Sequence, residues 1–182
     1  MSADPTETGL VARARVGDHE ALAALYGRYA QQVITVAFRL TKSEDEAEDV
    51  LQDVFVGLPE ALRGYDGKGA LGAWIRRLAT RTSLLRIRAE QRRTKWQKRA
   101  AAEGRSEERP VPVESRLTLQ RYLDRLPADL RAVYVLKEVE GYSHTEIGEL
   151  LGITEGASEV RLHRARRLRD QGEQPQSSRW CP

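Results

Sequence analysis

Six side chains near the C-terminus have the types and the spacing to contact the bases and phosphates of a nucleic acid. With 100° between successive residues of a helix, these six project to one side, while Ser158, Leu162 and Ala165 project to the other. Arginine and histidine donate to phosphate oxygens or to guanine, and glutamate accepts from the amino group of cytosine. The predicted DNA-contacting residues are Glu159, Val160, His163, Arg164, Arg166 and Arg167.

The segment that precedes these residues predicts the element that holds them. Ser143 and Glu146 are spaced as a capping box at the start of a helix, and Gly152 is the residue type that ends a helix with a positive φ. Thr154 is suited to cap the next helix, and Gly148 indicates that this second helix crosses close to the first at that point. Two short helices joined by a tight turn form a helix-turn-helix DNA-binding motif. The alternative is a solvated basic helix at the end of a domain.

A second cluster of positive charge lies in the middle of the chain. Between Arg76 and Arg99 there are ten basic residues and one acid, Glu90, so this stretch carries a net charge of +9 while the whole chain carries +3. Such a density predicts binding to phosphate groups. The alternative, a solvated helix face, normally mixes the two signs of charge. Trp96 lies within the tract, where it either stacks on a base or packs on a neighbouring helix.

The stretch from Ser43 to Leu62 has the opposite charge. Its spacing predicts one helix that begins with a capping box of Ser43 and Glu46, and Pro59 is expected to kink the last turn of that helix. The first eighteen residues of the stretch hold seven acids and no lysine or arginine. An acidic face repels DNA, so we expect it to bind a basic protein surface. The predicted contact residues are Asp49, Gln52, Asp53 and Phe55.

The rest of the pattern is also helical. Apolar residues at helical spacing predict three helices within the first forty residues, one from Ala70 or Leu71 to about Ala101, and two between residues 117 and 141. Residues 102–114, with glycine, prolines and mixed charge, are predicted to form a flexible linker. We therefore predict an all-α chain with two small helical domains, residues 6–101 and residues 115–170.

The residue types present exclude several classes of function. The three histidines lie far apart, at positions 19, 144 and 163, and the single cysteine, Cys181, excludes a cysteine-based zinc site. No glycine-rich phosphate loop is present, and paired carboxylates occur only on the acidic helix. We therefore expect no catalytic residues, no metal and no cofactor. The chain also lacks a run of eighteen apolar residues and a basic-then-apolar N-terminal signal, which predicts a cytoplasmic protein without membrane insertion.

Short motifs in both halves of the chain resemble those of one protein family. In the first half they are Ala24–Tyr29, Asp45–Phe55, and Trp74 with Ile75 before the basic helix. In the second half they are Leu126 with Pro127, Glu140–Ser143, Glu146 with Ile147, and Arg161–Arg166. In this order and spacing, residues 6–170 resemble the extracytoplasmic-function sigma factors of bacterial RNA polymerase in their minimal two-domain form. The resemblance implies a promoter-specificity subunit whose domains are similar to sigma regions 2 and 4.

The resemblance also implies a role for each charged surface. The acidic helix would bind the clamp helices of the largest subunit of core polymerase, the flap of the second subunit would provide a further contact, and the helix-turn-helix would read the minus-35 promoter element. The loop and basic helix after Leu62 would hold and melt the minus-10 element, through Tyr65, Asp66, Lys68, Trp74, Arg76, Arg77 and Arg81. The implied partners are core RNA polymerase, promoter DNA in double- and single-stranded form, and an anti-sigma protein.

The sequence departs from the family pattern at four positions, one of which is Pro59, in a stretch that is usually part of a smooth helix. On the helix after Trp74 the family often has Asn and, four residues later, Asp, where this chain has Arg81 and Leu85. In the recognition helix a basic residue is usual where Glu159 stands, which indicates either an altered promoter sequence, read through cytosine, or a lost phosphate contact. Two alternative functions remain at this point: a stand-alone helix-turn-helix regulator, and a polymerase-binding regulator that has lost promoter melting.

Overall fold

The computed structural model describes the backbone of residues 6–100 and 117–172, and the side chains of residues 6–93 and 119–169. Within these residues the chain is helical or irregular and forms no β-strand, so the predicted all-α class is confirmed. The chain divides into two compact units, Met1–Gly104 and Arg105–Pro182. The predicted linker, the side chain of Trp96 and all of Cys181 lie outside the described residues. None of the described helices is long and apolar enough to cross a membrane.

Five helices make up the described part of the first unit. They are α1 (Glu7–Ala14), α2 (His19–Thr41), α3 (Glu44–Val56), α4 (Leu58–Leu62) and α5 (Leu71–Ala100). The side chains of Thr6, Asp18 and Ser43 accept hydrogen bonds from backbone N–H groups in the first turns of α1, α2 and α3. These N–H groups have no partner within their own helices, so the caps determine where the helices begin.

The segment after Asp18 is one helix, whereas its sequence pattern predicts two. α2 runs without a break for 23 residues and ends at Thr41, and the next residue, Lys42, has a positive φ of 64°. No glycine or proline falls between Tyr29 and Val33, where the predicted break would lie. Gly27 lies earlier in α2 with open space around it, so it lowers helix propensity without ending the helix.

For the acidic stretch, the sequence pattern predicts a single helix from Ser43 to Leu62, but the structure contains two helices. α3 ends at Val56, and Gly57 separates it from α4. Pro59 lies in the first turn of α4. An N–H group at that position would have no intrahelical partner, so the proline begins a helix instead of kinking one. The predicted stripe of α3 and α4 is buried at Ala47, Val50, Leu51, Val54 and Leu58.

α2 forms the centre of the first unit and packs against α1, α3 and α5. The inward face of α5 follows the apolar stripe that helical spacing predicts, from Leu71 through Ile75 to Leu78, and then shifts. Leu85, predicted to face inward, is 61% exposed, and its neighbour Leu84 is buried instead. At this level of the helix, packing against α2 and α3 determines the buried face, and helical periodicity alone does not predict it. Core residues of this unit include Leu10, Leu25, Val33, Val50, Leu62, Leu71 and Ile75.

The second unit contains α6 (Leu117–Arg125), α7 (Ala128–Tyr134), α8 (His144–Leu151) and α9 (Glu155–Gly172). α7 continues into a π-helical turn, Val135–Val139, and Gly141 then redirects the chain with a φ of 77°. The helix predicted after Pro127 is therefore present, with a wider last turn. α7 and α8 both pack against α9. The buried apolar residues of this unit are Leu123, Leu126, Leu130, Val133, Tyr134, Val135, Leu136, Ile147, Leu162 and Ala165.

Candidate nucleic-acid and polymerase interfaces

Local contacts close the turn between α8 and α9. The Ser143 hydroxyl accepts from the Glu146 N–H at 3.2 Å, and the Glu146 carboxylate accepts from the Ser143 N–H at 2.8 Å, so the predicted capping box is present. Gly152 ends α8 with a φ of 66°. A Cβ atom on Gly148 would lie 2.8 Å from the carbonyl oxygen of Ile153. The glycine is therefore required by the backbone of the turn itself, and the predicted helix-turn-helix is confirmed.

The inward face of α9 fixes the direction of its outer face. Ser158, Leu162 and Ala165 are buried, as their spacing predicts. The Ser158 hydroxyl lies 2.9 Å from Nδ1 of His144 in α8. The Tyr122 hydroxyl of α6 donates to the carbonyl oxygen of Ala165 at 2.7 Å. Because α9 is hydrogen-bonded at two levels, it is held against rotation about its own axis.

The outer face of α9 is exposed. Val160 is 50% exposed, and the other predicted DNA contacts are also exposed: Glu159, His163, Arg164, Arg166 and Arg167. Arg166 differs from the rest because its guanidinium donates to the carboxylate of Glu138 at 2.6 Å. This ion pair directs Arg166 toward the π-helical turn and away from the middle of the outer face. We call the exposed residues other than Arg166 and the acidic Glu159 the recognition face: Val160, His163, Arg164 and Arg167.

The acidic surface of α3 is exposed as predicted, but it is already paired with a cation of the same chain. We call Asp49, Gln52 and Asp53 the acidic face; all three are exposed. Arg86 of α5 donates through Nη2 to Asp49 at 2.5 Å and through Nη1 to Asp53 at 3.2 Å. One cation of the tract predicted to bind DNA is therefore bound to α3. Nothing local in the sequence indicates this contact, because the residues are 33 and 37 positions apart.

An apolar patch adjoins the acidic face. Phe55 is half-buried, and its ring meets that of Tyr26 edge-on with 4.9 Å between the ring centroids. Tyr26 is 47% exposed, although its spacing in α2 predicts a buried residue, and Val56 is 75% exposed. The sequence contains a signal for Val56, since it follows Gln52 by four residues and so shares its side of the helix. Val56 is absent from the predicted contact residues.

Glu46 lies at the half-buried edge of α3, near the ion pair of Arg86. Burial raises the pKa of its carboxyl group, and the charge of Glu90 on α5 raises that pKa further, while Arg86 lowers it. Burial has the largest effect because it removes water from the charged form. The first turn of the acidic helix therefore contains a carboxyl group whose ionisation is disfavoured.

The loop between α4 and α5, residues 63–70, differs from expectation at Tyr65. The resemblance implies a DNA contact for this residue, but its side chain is only 8% exposed. The Tyr65 hydroxyl donates to the carbonyl oxygen of Gly69 at 2.8 Å, and its ring packs against Trp74 with 5.3 Å between the ring centroids. Tyr65 thus holds the loop from within, and its ring is not placed to contact a base.

The other predicted minus-10 residues remain accessible to different degrees. The carboxylate of Asp66 accepts from the backbone N–H of Lys68 at 2.9 Å, and both side chains project into solvent. Arg77 and Arg81 are exposed one turn apart on α5, so they share one side of that helix. Two members of the predicted set are half-buried: Trp74 and Arg76.

Known proteins match both units of the chain. Residues 25–93 match the family model of sigma-70 region 2, and residues 116–168 match that of sigma-70, region 4. The chain is 34% identical over 176 residues to the ECF RNA polymerase sigma factor SigE of Mycolicibacterium smegmatis, covering 90% of this chain and 67% of that protein. It is 30% identical to the ECF RNA polymerase sigma-E factor of Escherichia coli, covering 96% and 98%. The chain belongs to the ECF sigma factors of RNA polymerase.

Solved structures have the same fold as this sigma factor. The sigma factor RpoE of Bartonella quintana, in complex with the anti-sigma factor NepR, superimposes with a TM-score of 0.58 at 18% identity, covering 82% of this chain and 94% of that one. CnrH, in complex with the cytosolic domain of CnrY, gives a TM-score of 0.50 at 27% identity, covering 89% and 93%. Because the family matches span both halves, a stand-alone helix-turn-helix regulator is not favoured. This sigma factor acts in transcription initiation.

Proposed function

We propose that this sigma factor binds core RNA polymerase, recognises a promoter with minus-35 and minus-10 elements, and opens it. The observation that carries the proposal is the segregation of exposed charge, with aspartates on the acidic face of α3 and cations on the recognition face of α9. DNA repels the first surface and attracts the second, so the first is suited to a protein and the second to a promoter. The polymerase supplies the chemistry, and the sigma factor needs no catalytic residue, metal or cofactor.

The acidic face and its apolar neighbours form the proposed contact with the clamp helices of the largest polymerase subunit. Asp49 and Asp53 would pair with cations there, while Phe55, Tyr26 and Val56 would lose exposed apolar area. Aromatic side chains beside charged pairs are typical of the residues that contribute most to binding energy. The contact between the second unit and the flap of the second subunit is proposed by analogy with the family.

The recognition face is proposed to enter the major groove of the minus-35 element. Arg164 and His163 have the donors to contact guanine, and the methyl groups of Val160 are suited to contact the thymine methyl. Arg167 and, at the edge, Arg166 are placed to contact phosphates. Glu159 lies beside them, where its carboxylate can accept from cytosine. The acid at this position supports a preference for cytosine in this part of the promoter.

The minus-10 element is proposed to meet the loop 63–70 and the start of α5. Lys68 and Asp66 project from the loop, and Arg77 and Arg81 are exposed on the adjoining helix. Arginines one turn apart can follow successive phosphates of one strand. The half-buried residues Trp74 and Arg76 are proposed to line the base of this surface.

An anti-sigma protein is the third proposed partner. Both solved relatives described above carry a second protein, which is the anti-sigma factor NepR in one complex and the cytosolic domain of CnrY in the other. In this chain the acidic face and the recognition face act only while they are uncovered. A protein that binds over either of them would therefore prevent transcription without changing the fold.

In vitro transcription tests the proposed function directly. The sigma factor would be mixed with core polymerase from Escherichia coli and a pool of DNA fragments of random sequence, and transcript 5′ ends would be sequenced. We expect starts at a fixed distance downstream of a shared two-part motif. Transcription that is only blocked would favour the polymerase-binding regulator. Binding to a palindrome without polymerase would favour the stand-alone regulator.

A further inference from the structure

The loop 63–70 has little in its own sequence to hold one conformation. Seven of its eight residues are exposed, and only Tyr65 is buried. Gly67 and Gly69 have positive φ values of 76° and 80°, so the loop depends on two residues with the greatest backbone freedom. Holding such a segment in place costs conformational entropy. Backbone hydrogen bonds to residues 60–62 hold the first three residues of the loop, and contacts from outside the loop add to them.

Arg15, at the C-terminal end of α1, makes a side-chain contact that helps to hold the first part of the loop. Its Nε donates to the carbonyl oxygen of Leu62 at 2.9 Å, and its Nη2 donates to the carbonyl oxygen of Tyr65. The two acceptors lie 47 and 50 residues further along the chain. Leu62 ends α4, and its carbonyl oxygen also accepts from the backbone N–H of Tyr65 at 3.1 Å. A planar guanidinium can serve both acceptors at once, which a lysine ammonium does poorly.

Tyr65 connects Arg15 to the far side of the loop through hydrogen bonds at both ends of the residue. Its carbonyl oxygen is held by Arg15, and its hydroxyl donates to the carbonyl oxygen of Gly69 at 2.8 Å. Asp66 and Lys68 lie between these two fixed points. The start of α5 is held separately, because Gln32 donates to the carbonyl oxygen of Gly72 at 3.1 Å. The exposed loop residues are thus positioned by a half-buried arginine that is distant in the sequence.

We propose that Arg15 is a positioning residue for minus-10 recognition: it fixes Tyr65, and through Tyr65 the loop that presents Asp66 and Lys68 to the unpaired strand. The proposal rests on the proposed function of this loop. Arg15 itself acts from beneath the loop, because its Nε and Nη2 groups are bound to protein carbonyl oxygens. Its role is thereby distinct from that of a DNA-contacting cation such as Lys68.

The test compares Arg15→Lys with Arg13→Lys. Both variants keep the positive charge, but Arg13 is exposed and pairs with Asp18 and Glu20, with no contact to the loop. Each variant would be assembled with Escherichia coli core polymerase, using a promoter identified by the transcription assay above. Three affinities would be measured: for core polymerase, for a minus-35 duplex, and for a fluorescent single-stranded oligonucleotide of the minus-10 element.

For Arg15→Lys we expect about tenfold weaker binding of the single strand, the scale of one lost charge-assisted hydrogen bond. The other two affinities should stay within about twofold of the unchanged protein, as for a substitution remote from both surfaces. Hydrogen exchange should accelerate in a peptide that contains residues 66–69 and remain unchanged in α2 and α3. Arg13→Lys should leave all of these values unaltered.

Two results would overturn the role of Arg15. One is that Arg15→Lys binds the single strand as tightly as the unchanged protein; the other is that it loses all three affinities together, as a general folding residue would. If Arg15→Lys does not fold, Tyr65→Phe removes only the bond to Gly69 and should weaken single-strand binding with faster loop exchange. No effect of that variant would also overturn the proposal. An unchanged sigma factor that cannot bind the minus-10 strand contradicts the proposed function itself.

Discussion

The two units of this sigma factor position their candidate binding side chains in different ways. In the second unit the contacts that fix the turn before α9 join residues close together in the sequence. Examples are the capping box of Ser143 and Glu146 and the close approach of Gly148 to Ile153. In the first unit the corresponding contacts join distant residues, such as Arg15 with Leu62 and Arg86 with Asp49. A local motif thus builds the helix-turn-helix, whereas assembly of the whole helical bundle positions the acidic face and the loop.

The largest effect is expected from reversing charge on the acidic face of the first unit. Asp49→Lys with Asp53→Lys should weaken core polymerase binding by at least about 100-fold, because each attractive pair becomes a repulsive one. Binding to immobilised core polymerase would be measured. Adding Arg86→Asp restores opposite charges between α3 and α5 and serves as the control. Recovered core binding in that triple variant would mean that the ion pair to α5, and not the docking surface, was responsible for the loss.

The second unit should lose minus-35 affinity unequally at two neighbouring arginines. Arg164→Ala should cost about 1–3 kcal/mol of binding if its guanidinium contacts a base edge. Arg166→Ala should cost less, because this side chain is bound to Glu138 and must leave that partner to reach DNA. The affinities of both variants would be measured by fluorescence anisotropy, with the mapped minus-35 duplex and with a scrambled duplex. Equal losses for Arg164→Ala on the two duplexes would show that it contacts only phosphate.

A pair of glycines tests whether the turn of the second unit is built locally. Gly148→Ala should destabilise this unit by about 1–3 kcal/mol, as expected for overpacking, because the new Cβ would lie 2.8 Å from the Ile153 carbonyl oxygen. Gly156→Ala is the matched control: it lies in α9 with open space around it and should stabilise by up to about 1 kcal/mol. Thermal unfolding measures both. Equal effects would mean that the close approach at Gly148 is unimportant.

The smallest effect concerns pH and the first unit. The raised pKa of Glu46 means that its stabilising contribution is present below its unfolded pKa and is lost as pH rises through its folded pKa. Glu46→Gln keeps the neutral form at every pH, so the variant should unfold at a higher temperature than the unchanged protein at pH 7. The difference should shrink toward zero near pH 4. A difference that is constant with pH would contradict this assignment.

The predictions from sequence succeeded where the signal is local. The N-caps at Ser43 and Ser143, the αL turn at Gly152 and the inward stripe of α9 each depend on neighbouring residues, and the structure contains all of them. The predicted break in α2 was wrong because apolar periodicity cannot distinguish one long helix from two in register. The predicted kink at Pro59 was wrong because the sequence pattern does not distinguish a proline within a helix from a proline in the first turn of a helix. In the structure Gly57 separates α3 from α4, and Pro59 lies in the first turn of α4.

The exposed positions of the candidate surfaces were predicted in part for the same reason. The acidic face and the recognition face are exposed sides of single helices, so spacing alone identifies them. The interior position of Tyr65 depends on Gly69 and Trp74 in three dimensions. The bond from Arg15 depends on how α1 packs against α4. No periodic pattern in the sequence contains this information.

Under the proposed function, the ion pairs of Arg86 would link the binding of core polymerase to the binding of promoter DNA. Under the proposed function, polymerase cations that take Asp49 and Asp53 must displace this guanidinium from α3. Once released, the Arg86 guanidinium would add one positive charge to α5, the helix proposed to face promoter phosphates. Linkage is reciprocal, so a DNA strand that attracts Arg86 also unmasks the aspartates for polymerase. Enzyme and template would thereby recruit each other cooperatively, and the free sigma factor would hold DNA less tightly than the holoenzyme does.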